Sequence, residues 1–261
     1  MLRNVVTAFA VLLLCIPASA GTLVWENAFA DEADISGATV DAATTGDVQV
    51  DITTAVVSDQ DNGGPGPDQS PFSTNPLYFK AEHATTGNHA GYGFLGFDNT
   101  ADDPADYLEI RLGFSTPVGG LTFSLLDIDQ RSQLGTRDFI DAVIVTYNDG
   151  PNVLSNPAFY SLGPNVQVGD EGLGEFEGVA HIADGEATFN GSTDSNIDFD
   201  FGTTNVSSVT IRYFTTDDAP ANPSGQLMGI SDLVWTVVPE PATASLLLAG
   251  VIGLAAARRR P

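Results

Sequence analysis

The chain has 261 residues, of which 34 are acidic and nine are basic, so its formal net charge at neutral pH is −25. Such a chain lacks the basic face that nucleic-acid phosphates require, and anionic lipid surfaces would repel it. The charge favours solubility and divalent cations, and the many β-branched and aromatic runs exclude a disordered acidic polymer.

The first 20 residues have the pattern of an export signal. Arg3 supplies a positive start, Val5–Ile16 is an apolar run, and Ala18-Ser19-Ala20 offers small residues at a cleavage site. We therefore predict a signal peptide over residues 1–20, which is handled by the export machinery and by signal peptidase. The mature chain then starts at Gly21.

The only cysteine of the chain is Cys15, and it lies in this leader. It raises the alternative of a lipoprotein, but Leu14 precedes it where a small residue is normally found. The mature chain is therefore predicted to have no disulfide and no cysteine-ligated metal.

Residues 21–237 alternate short apolar-polar runs with clusters of Gly, Pro, Asn and Asp, which is typical of all-β proteins. We predict one acidic all-β domain here, an antiparallel β-sandwich or jelly roll with about a dozen strands. The predicted strands are Thr22–Glu26, Asp47–Val57, Leu77–Lys80, Tyr92–Phe97, Tyr107–Phe114, Leu121–Ile128, Phe139–Tyr147, Gly178–Ile182, Ala187–Asn190, Ile197–Phe201, Val206–Phe214 and Gly229–Val237.

A run rich in glycine, with one proline, separates two of the strongest predicted strands. Residues 113–120 read Gly-Phe-Ser-Thr-Pro-Val-Gly-Gly, and they join Tyr107–Phe114 to Leu121–Ile128. This composition is typical of turns, so we expect these two strands to form a hairpin.

The second of these strands ends in Asp127-Ile128-Asp129. Strand alternation would place the carboxylates of Asp127 and Asp129 on one face, where they repel each other unless a cation lies between them. A calcium site is one interpretation, with Asp138 and Asp141 as further ligands. Ion pairing with the nearby arginines and a solvated face are the alternatives.

A second acidic loop runs from Asp98 to Asp106 and contains four carboxylates. Asp98 and Asp102 are candidate calcium ligands there, but Asp and Asn also form turns without any metal. Calcium is the only cofactor that the sequence suggests.

Catalytic motifs are missing from the sequence. The three histidines, His83, His89 and His181, do not form a His-Glu-x-x-His motif, and there is no Gly-x-Ser-x-Gly. We predict a protein that is not an enzyme, with a hydrolase as the remaining alternative. Four aromatic residues are candidates for stacking on sugars or for the core: Trp25, Tyr92, Tyr213 and Trp235.

The C-terminus has three parts in a fixed order. Val238-Pro239-Glu240-Pro241 is a stiff extended motif, because proline fixes φ and donates no hydrogen bond. Ala242–Ala257 is an apolar run whose helix would be roughly 24 Å long, against a hydrocarbon core of about 30 Å. Arg258, Arg259 and Arg260 follow and should stay cytoplasmic. We predict a single transmembrane helix here, with the domain outside.

This arrangement resembles the PEP-CTERM sorting signal, and the resemblance covers residues 238–261. It implies a bacterium with a Gram-negative envelope that makes exopolysaccharide. It also implies an exosortase in the inner membrane, which cuts near the motif. The protein would then pass from the inner membrane, with its domain on the periplasmic side, to the cell surface or the extracellular matrix.

The body resembles galactose-binding-like jelly-roll modules in Phe114–Val118, Leu121–Asp129 and Ile230–Trp235. Such modules bind glycans or mediate adhesion. We therefore expect an exported envelope or matrix protein with an adhesive or structural role, and the alternative is a carbohydrate-binding module for exopolysaccharide.

Overall fold

Antiparallel strands dominate the structure, a computed structural model that describes residues 20–31, 33–45, 48–57, 77–79, 93–96, 107–128, 130–133, 136–148, 152–153, 159–168, 176–180, 194–215 and 227–238. Two one-turn helices, α1 (Trp25–Ala28) and α2 (Ala42–Thr45), accompany the strands. The strands of the described residues are β1 (Ala20–Leu23), β2 (Thr39–Val40), β3 (Val50–Val57), β4 (Leu77–Phe79), β5 (Gly93–Gly96), β6 (Tyr107–Leu126), β7 (Gln130–Gln133), β8 (Thr136–Tyr147), β9 (Asn152–Val153), β10 (Tyr160–Leu162), β11 (Val166–Val168), β12 (Phe176–Ala180), β13 (Ile197–Asp200), β14 (Val206–Thr215), β15 (Leu227–Ile230) and β16 (Leu233–Val237). The all-β prediction is confirmed.

The organising element is β6, a strand of 20 residues that belongs to both halves of a curled antiparallel sheet. Its first part, residues 107–114, lies between β3 and β14, and β14 continues the sheet through β8 to β12 and β11. Its second part, residues 118–126, pairs with β13 on one side and with β16 and β15 on the other. The predicted two-layer arrangement is therefore built with one shared strand.

The expected hairpin at residues 113–120 is wrong, because β6 continues through this segment. Val206 and Ser208 are two residues apart on β14, but their partners on β6, Val118 and Gly113, are five residues apart. Three additional residues of β6 are therefore accommodated in a bulge that contains Pro117, which cannot donate a ladder hydrogen bond. Gly120, with φ of +58°, marks a second irregularity opposite β16. Bulges and hairpin turns use the same residue types, and the sequence does not distinguish them.

The apolar residues that alternate with polar residues along the strands form the core between the two halves of the sheet. Leu108, Ile110 and Leu112 of β6 are buried, whereas Glu109 and Arg111 between them remain partly exposed. The two halves contribute to one buried cluster, in which the stacked rings of Phe123 and Phe199 are 5.0 Å apart and the other core residues include Ile52, Val145, Phe201, Ile211 and Trp235. Burial of each such side chain contributes about 1.5–3 kcal/mol.

The observed N-terminal strand differs from the predicted one. The sequence predicts a strand over Thr22–Glu26, but β1 covers Ala20–Leu23 and the chain then turns into α1. The predicted strand Gly229–Val237 is divided into β15 and β16 by Ser231 and Asp232. The predicted strand Ala187–Asn190 lies outside the described residues.

The predicted signal peptide before Ala20 and the predicted transmembrane helix over Ala242–Ala257 also lie outside the described residues. Within the part of the chain that the structure describes, neither one-turn helix meets the length and hydropathy needed to cross a membrane.

Candidate functional site

The sorting motif of the sequence begins where the sheet ends. Val237 is the last residue of β16, and Val238 follows it as the last described residue. Pro239, Glu240 and Pro241 lie outside the described residues, as do Arg258, Arg259 and Arg260. The structure therefore places the start of the motif directly after a strand, without an intervening linker.

The strand that carries the motif lies between β1 and β6. Ala20 is opposite Thr236 and Leu23 is opposite Leu233, so β1 and β16 run antiparallel. On the other side, Val237 pairs with Val118 of β6, and the Thr236 hydroxyl donates a 2.8 Å hydrogen bond to the Gly119 carbonyl. The first and last described residues of the domain therefore lie at the same end of one strand pair.

Gly21 lies under the indole ring of Trp235, its register partner. A Cβ atom built on Gly21 would lie 2.6 Å from Trp235 Cε2 and 2.8 Å from the carbonyl oxygen of Thr45. No side chain fits there without displacing a ring that is itself 1% exposed. Glycine is required here for close approach and not for an unusual backbone angle.

Trp25 anchors the chain directly after β1. Its ring is fully buried, and its indole N–H donates a 2.9 Å hydrogen bond to the Ser231 carbonyl. Its backbone N–H donates a 3.2 Å hydrogen bond to Asp232 Oδ1, which satisfies one of the free donors at the start of α1. Ser231 and Asp232 join β15 to β16, so the anchor connects the beginning of the domain to the last strand of the described residues.

Asp232 is the one strongly shifted carboxyl group in this region. Burial raises the pKa of Asp232 to about 6, the Trp25 backbone N–H opposes this shift, and the nearby Glu26 adds to it. Ionisation of Asp232 in the folded protein therefore lowers the free energy of unfolding.

The segment that precedes β16 is also hydrogen-bonded to β6. The Ser231 hydroxyl accepts a 2.7 Å hydrogen bond from the backbone N–H of Ser124 in β6. The Ser124 hydroxyl in turn donates a 2.5 Å hydrogen bond to Asp198 Oδ1 of β13. A continuous polar path thus joins the N-terminal anchor to β6 and β13.

The candidate calcium ligands are only partly covered by the structure. β6 ends at Leu126, and Asp127 has a left-handed φ of 64°, so period-two alternation does not extend through Asp127. Asp98, Asp102 and Asp129 lie outside the described residues. Among the residues that are described, no three His, Cys, Asp or Glu side chains are grouped for a metal ion. The calcium site stays a prediction.

Asp141, which the sequence suggested as a further oxygen ligand, belongs to the interior. It is fully buried on β8, and the Tyr213 hydroxyl of β14 donates a 2.5 Å hydrogen bond to its Oδ1. Buried carboxylates are tolerated when such donors satisfy them.

Three of the four aromatic candidates for sugar stacking are core residues. Trp25, Trp235 and Tyr213 are each at most 1% exposed, and Tyr92 lies outside the described residues. The large hydrophobic side chains that are exposed within the described ranges are Val168 and Val234. Of the four candidates, the three that the structure describes are therefore buried in the core and cannot stack on a sugar.

Sequence reasoning did not identify Gly21, Trp25 and Asp232 as a connected group. The contacts join residues more than 200 positions apart, and no local pattern predicts such a contact. The only available signal was the alternation around Trp235, which predicted a buried ring but not what the ring covers.

Two comparisons with known proteins bear on the chain. The family description "PEP-CTERM protein-sorting motif" matches residues 237–260. A search among curated proteins found no match to the chain. The chain thus carries a PEP-CTERM sorting motif, which indicates an exported protein that is sorted through an exosortase. The motif implies export to the cell envelope and an exosortase as the processing partner.

Proposed function

We propose that this chain is a non-enzymatic protein of the cell envelope or extracellular matrix, in which an acidic β-sandwich serves adhesion or matrix structure. The observation that carries the proposal is the match to the sorting motif, which begins at Val237, the last residue of β16. The motif is thus attached to the sheet itself, and the delivered cargo is the β domain.

The proposed route follows from the two ends of the sequence. The leader directs export, and the Ala242–Ala257 helix holds the chain in the inner membrane with Arg258–Arg260 in the cytoplasm. The domain then faces the periplasm. An exosortase cuts near Pro239-Glu240-Pro241, and the domain passes to the surface or the matrix.

The charge of the domain supports a matrix role. Residues 21–237 contain 33 acidic and five basic residues, so neighbouring copies repel each other unless cations lie between them. Extracellular divalent cations are therefore natural partners for this surface, and calcium is the candidate. We expect millimolar calcium to raise the melting temperature relative to a chelator, and Asp127→Asn to reduce that increase. An unchanged midpoint would remove Asp127 from a structural calcium site.

The experiment that tests the proposed sorting compares two variants in a host that contains an exosortase. Pro239→Ala combined with Pro241→Ala removes the stiff motif, and Val234→Thr on the exposed face of β16 is the matched control. The control should lose its tail and reach the cell surface, as the natural chain does. The double variant should remain uncut in the membrane fraction. Equal processing of both variants would refute sorting through this motif.

The role of the delivered domain needs a separate test, because a carbohydrate-binding module would follow the same route. Deletion of the protein should weaken cell aggregation or matrix cohesion, and addition of the purified domain should restore it. A glycan array with neutral and acidic polymers should be silent under our proposal. Strong binding to one polymer would instead favour recognition of exopolysaccharide.

A further inference from the structure

The two outer faces of the curled sheet carry different charges. The face formed by β3, the first part of β6 and β14 carries both arginines whose side chains the structure describes, Arg111 and Arg212. On the face formed by β13, the second part of β6 and β16, the described charged side chains are Asp198 and Asp200. We call the first the arginine face and the second the aspartate face. Because the inner faces of the two halves share one core, these outer faces point in opposite directions.

The arginine face is charge-balanced. The Arg212 Nε donates a 3.1 Å hydrogen bond to Glu109 Oε2, its register partner, and the guanidinium carbon lies 4.8 Å from the centre of the Tyr107 ring. Arg111 and Asp51 supply the other two charges. The Arg212 and Glu109 side chains are 36% and 30% exposed, and exposed ion pairs of this kind are weak enough to be shared with a partner. Toward β8 the face becomes part of a second buried cluster, which consists of Ile140, Ala142, Ile144 and Phe214.

The carboxylates of the aspartate face are oriented by their own chain. The Ser124 hydroxyl donates a 2.5 Å hydrogen bond to Asp198 Oδ1, and the Gly202 backbone N–H donates a 2.8 Å hydrogen bond to Asp200 Oδ1. Both aspartates are exposed and alternate with buried residues along β13. Among the described residues, no hydrogen bond involves the Oδ2 atom of either carboxylate, so each carboxylate presents an oriented oxygen to solvent.

The spacing of the charges is similar on the two faces. Arg212 is two positions beyond the register partner of Arg111, so the two arginines are diagonal neighbours on adjacent strands, with Cα atoms about 7–8 Å apart. Asp198 and Asp200 are two positions apart on one strand, which corresponds to about 7 Å. A pair of guanidinium groups on one copy therefore matches a pair of carboxylates on another.

We propose that copies of this domain stack on one another, with the arginine face of one copy against the aspartate face of the next. In the contact, Arg111 and Arg212 bind Asp198 and Asp200 of the second copy. This inference rests on the proposed function, because it says how an envelope or matrix protein builds an extended assembly. Two different faces on opposite sides of a molecule form a heterologous contact that does not close, so the copies form an open array.

The charge of the domain favours a second copy as the occupant of these faces. Residues 21–237 contain 33 acidic and five basic residues, so most contacts between two copies would oppose like charges. Contact between an arginine face and an aspartate face brings opposite charges together. Repulsion between the remaining charges is screened beyond about 8 Å at physiological ionic strength. An acidic polysaccharide offers the arginine face the same chemistry, but it offers none to the aspartate face.

The test reverses the charges of each face in turn. Arg111→Glu with Arg212→Glu makes the arginine face acidic, and Asp198→Lys with Asp200→Lys makes the aspartate face basic. The leader-free protein is studied in one detergent, so that the apolar tail contributes equally to every sample. Sedimentation at physiological salt should show assemblies of the natural protein whose mass grows with concentration. Each variant alone should associate about a hundredfold more weakly.

The Lys variant separates stacking from general electrostatics. Each Asp→Lys replacement makes the net charge less negative by two units, so reduced overall repulsion predicts stronger association, whereas stacking predicts weaker association. Glu26→Lys with Asp41→Lys is the matched control, because it makes the same change of charge at exposed positions outside both faces. This control should associate at least as strongly as the natural protein. Loss of association in the control as well would overturn the proposal.

A mixture of the two variants provides the rescue. The acidic face of the Glu variant complements the lysines of the Lys variant, and their unaltered faces complement each other, so an equal mixture should assemble as the natural protein does. Absence of rescue between variants that melt like the natural protein would refute stacking. If the Lys variant does not fold, Asp198→Asn with Asp200→Asn replaces it and should weaken association about tenfold. Unchanged association of that variant would count equally against stacking.

Two further outcomes separate this inference from the proposed function. If the natural protein assembles only when an acidic polymer such as polygalacturonate is added, the arginine face binds polymer and stacking is wrong. The second outcome concerns cells that produce the variant with Arg111→Glu and Arg212→Glu. If the natural protein stacks but these cells keep the matrix cohesion of cells with the natural protein, the matrix role fails and stacking stands.

Discussion

The first and last strands of the domain are neighbours, yet they are held by different means. The N-terminal strand is sealed by side chains, since the Trp235 ring covers Gly21 and the Trp25 ring is buried beyond it. At the end of β16, Thr236 is exposed and Val237 and Val238 are partly buried, and the Thr236 hydroxyl adds one hydrogen bond to Gly119 beside the backbone ladder.

The difference shows how one strand pair can serve two purposes. Large buried rings make the N-terminal strand costly to release, which suits a chain end that stays in the sheet after processing. Backbone pairing, one hydroxyl hydrogen bond and the partial packing of Val237 hold the last residues before a cleavage site, where the chain must remain accessible. If this comparison is correct, substitutions at the N-terminal strand and its anchor should destabilise the domain far more than substitutions at the end of β16.

The largest expected effect is that of Trp25→Ala. Loss of a fully buried indole and its bond to the Ser231 carbonyl should lower the free energy of unfolding by about 3–5 kcal/mol. Urea denaturation of the leader-free protein measures it. Trp25→Phe is the control, because it keeps a ring against Phe29 and should cost less than half as much. Equal losses would show that the hydrogen bond, and not the packing, fixes the anchor.

Gly21→Val should have the next largest effect, about 1–3 kcal/mol, because the added side chain overlaps the Trp235 ring and the Thr45 carbonyl. Thr22→Val is the matched control, since it places the same side chain on the exposed face of the same strand and should stay within about 0.5 kcal/mol. Chemical denaturation compares the two variants. A loss at Thr22 as large as that at Gly21 would mean that the strand is sensitive everywhere and that Gly21 is not specifically sealed.

These contacts show what the sequence can and cannot predict. Alternation predicted β3, the first part of β6 and β14 closely, because one face of each strand is buried and the other is not. The short strands β7, β10 and β11 were missed, although β4 and β5, which are no longer, were predicted, so strand length alone does not explain the misses. The bend of β6 was misread as a turn because glycine and proline permit both structures.

The candidate site also has one part that the sequence predicted and one part that it did not. The sorting tail was predictable because its motif, apolar run and arginines are adjacent in the sequence, and the family match over 237–260 confirms the motif. The contacts of Gly21 and Trp25 were not predictable, because they are made with residues near position 235. Long-range contacts of this kind depend on the register of β1 against β16, and neither strand specifies that register by itself.

The charge of Asp232, which accepts a hydrogen bond from the Trp25 backbone, gives a further test of how the N-terminal strand is held. Its pKa is about 6 in the folded protein and near 3.8 when unfolded, so the folded state binds the proton more tightly. Ionisation therefore costs stability above pH 6, and this cost is relieved as the pH falls from about 6 toward 4.

Asp232→Asn should remove that cost. We expect a gain of about 1 kcal/mol at pH 7.5, discounted because the group is only half-buried, and little change at pH 4. Melting curves across this range measure the effect, with Asp198→Asn as the control carboxylate on the same polar path. A loss of stability at pH 7.5 would mean that the charged bond to the Trp25 N–H outweighs the burial.

The smallest expected effect is at the end of β16. Thr236→Val keeps the shape and the strand preference of the residue but removes the hydrogen bond to the Gly119 carbonyl. Because Thr236 is exposed, water can replace the lost donor, and the cost should be only about 0.5–1 kcal/mol. Val234→Thr, two residues earlier on the same face, is the control and should be close to neutral. If Thr236→Val instead lowers the free energy of unfolding as much as Gly21→Val does, side chains hold the end of β16 as strongly as they hold β1. A cut next to it would then disturb the sheet, because the residues that flank the cut would be essential to the fold.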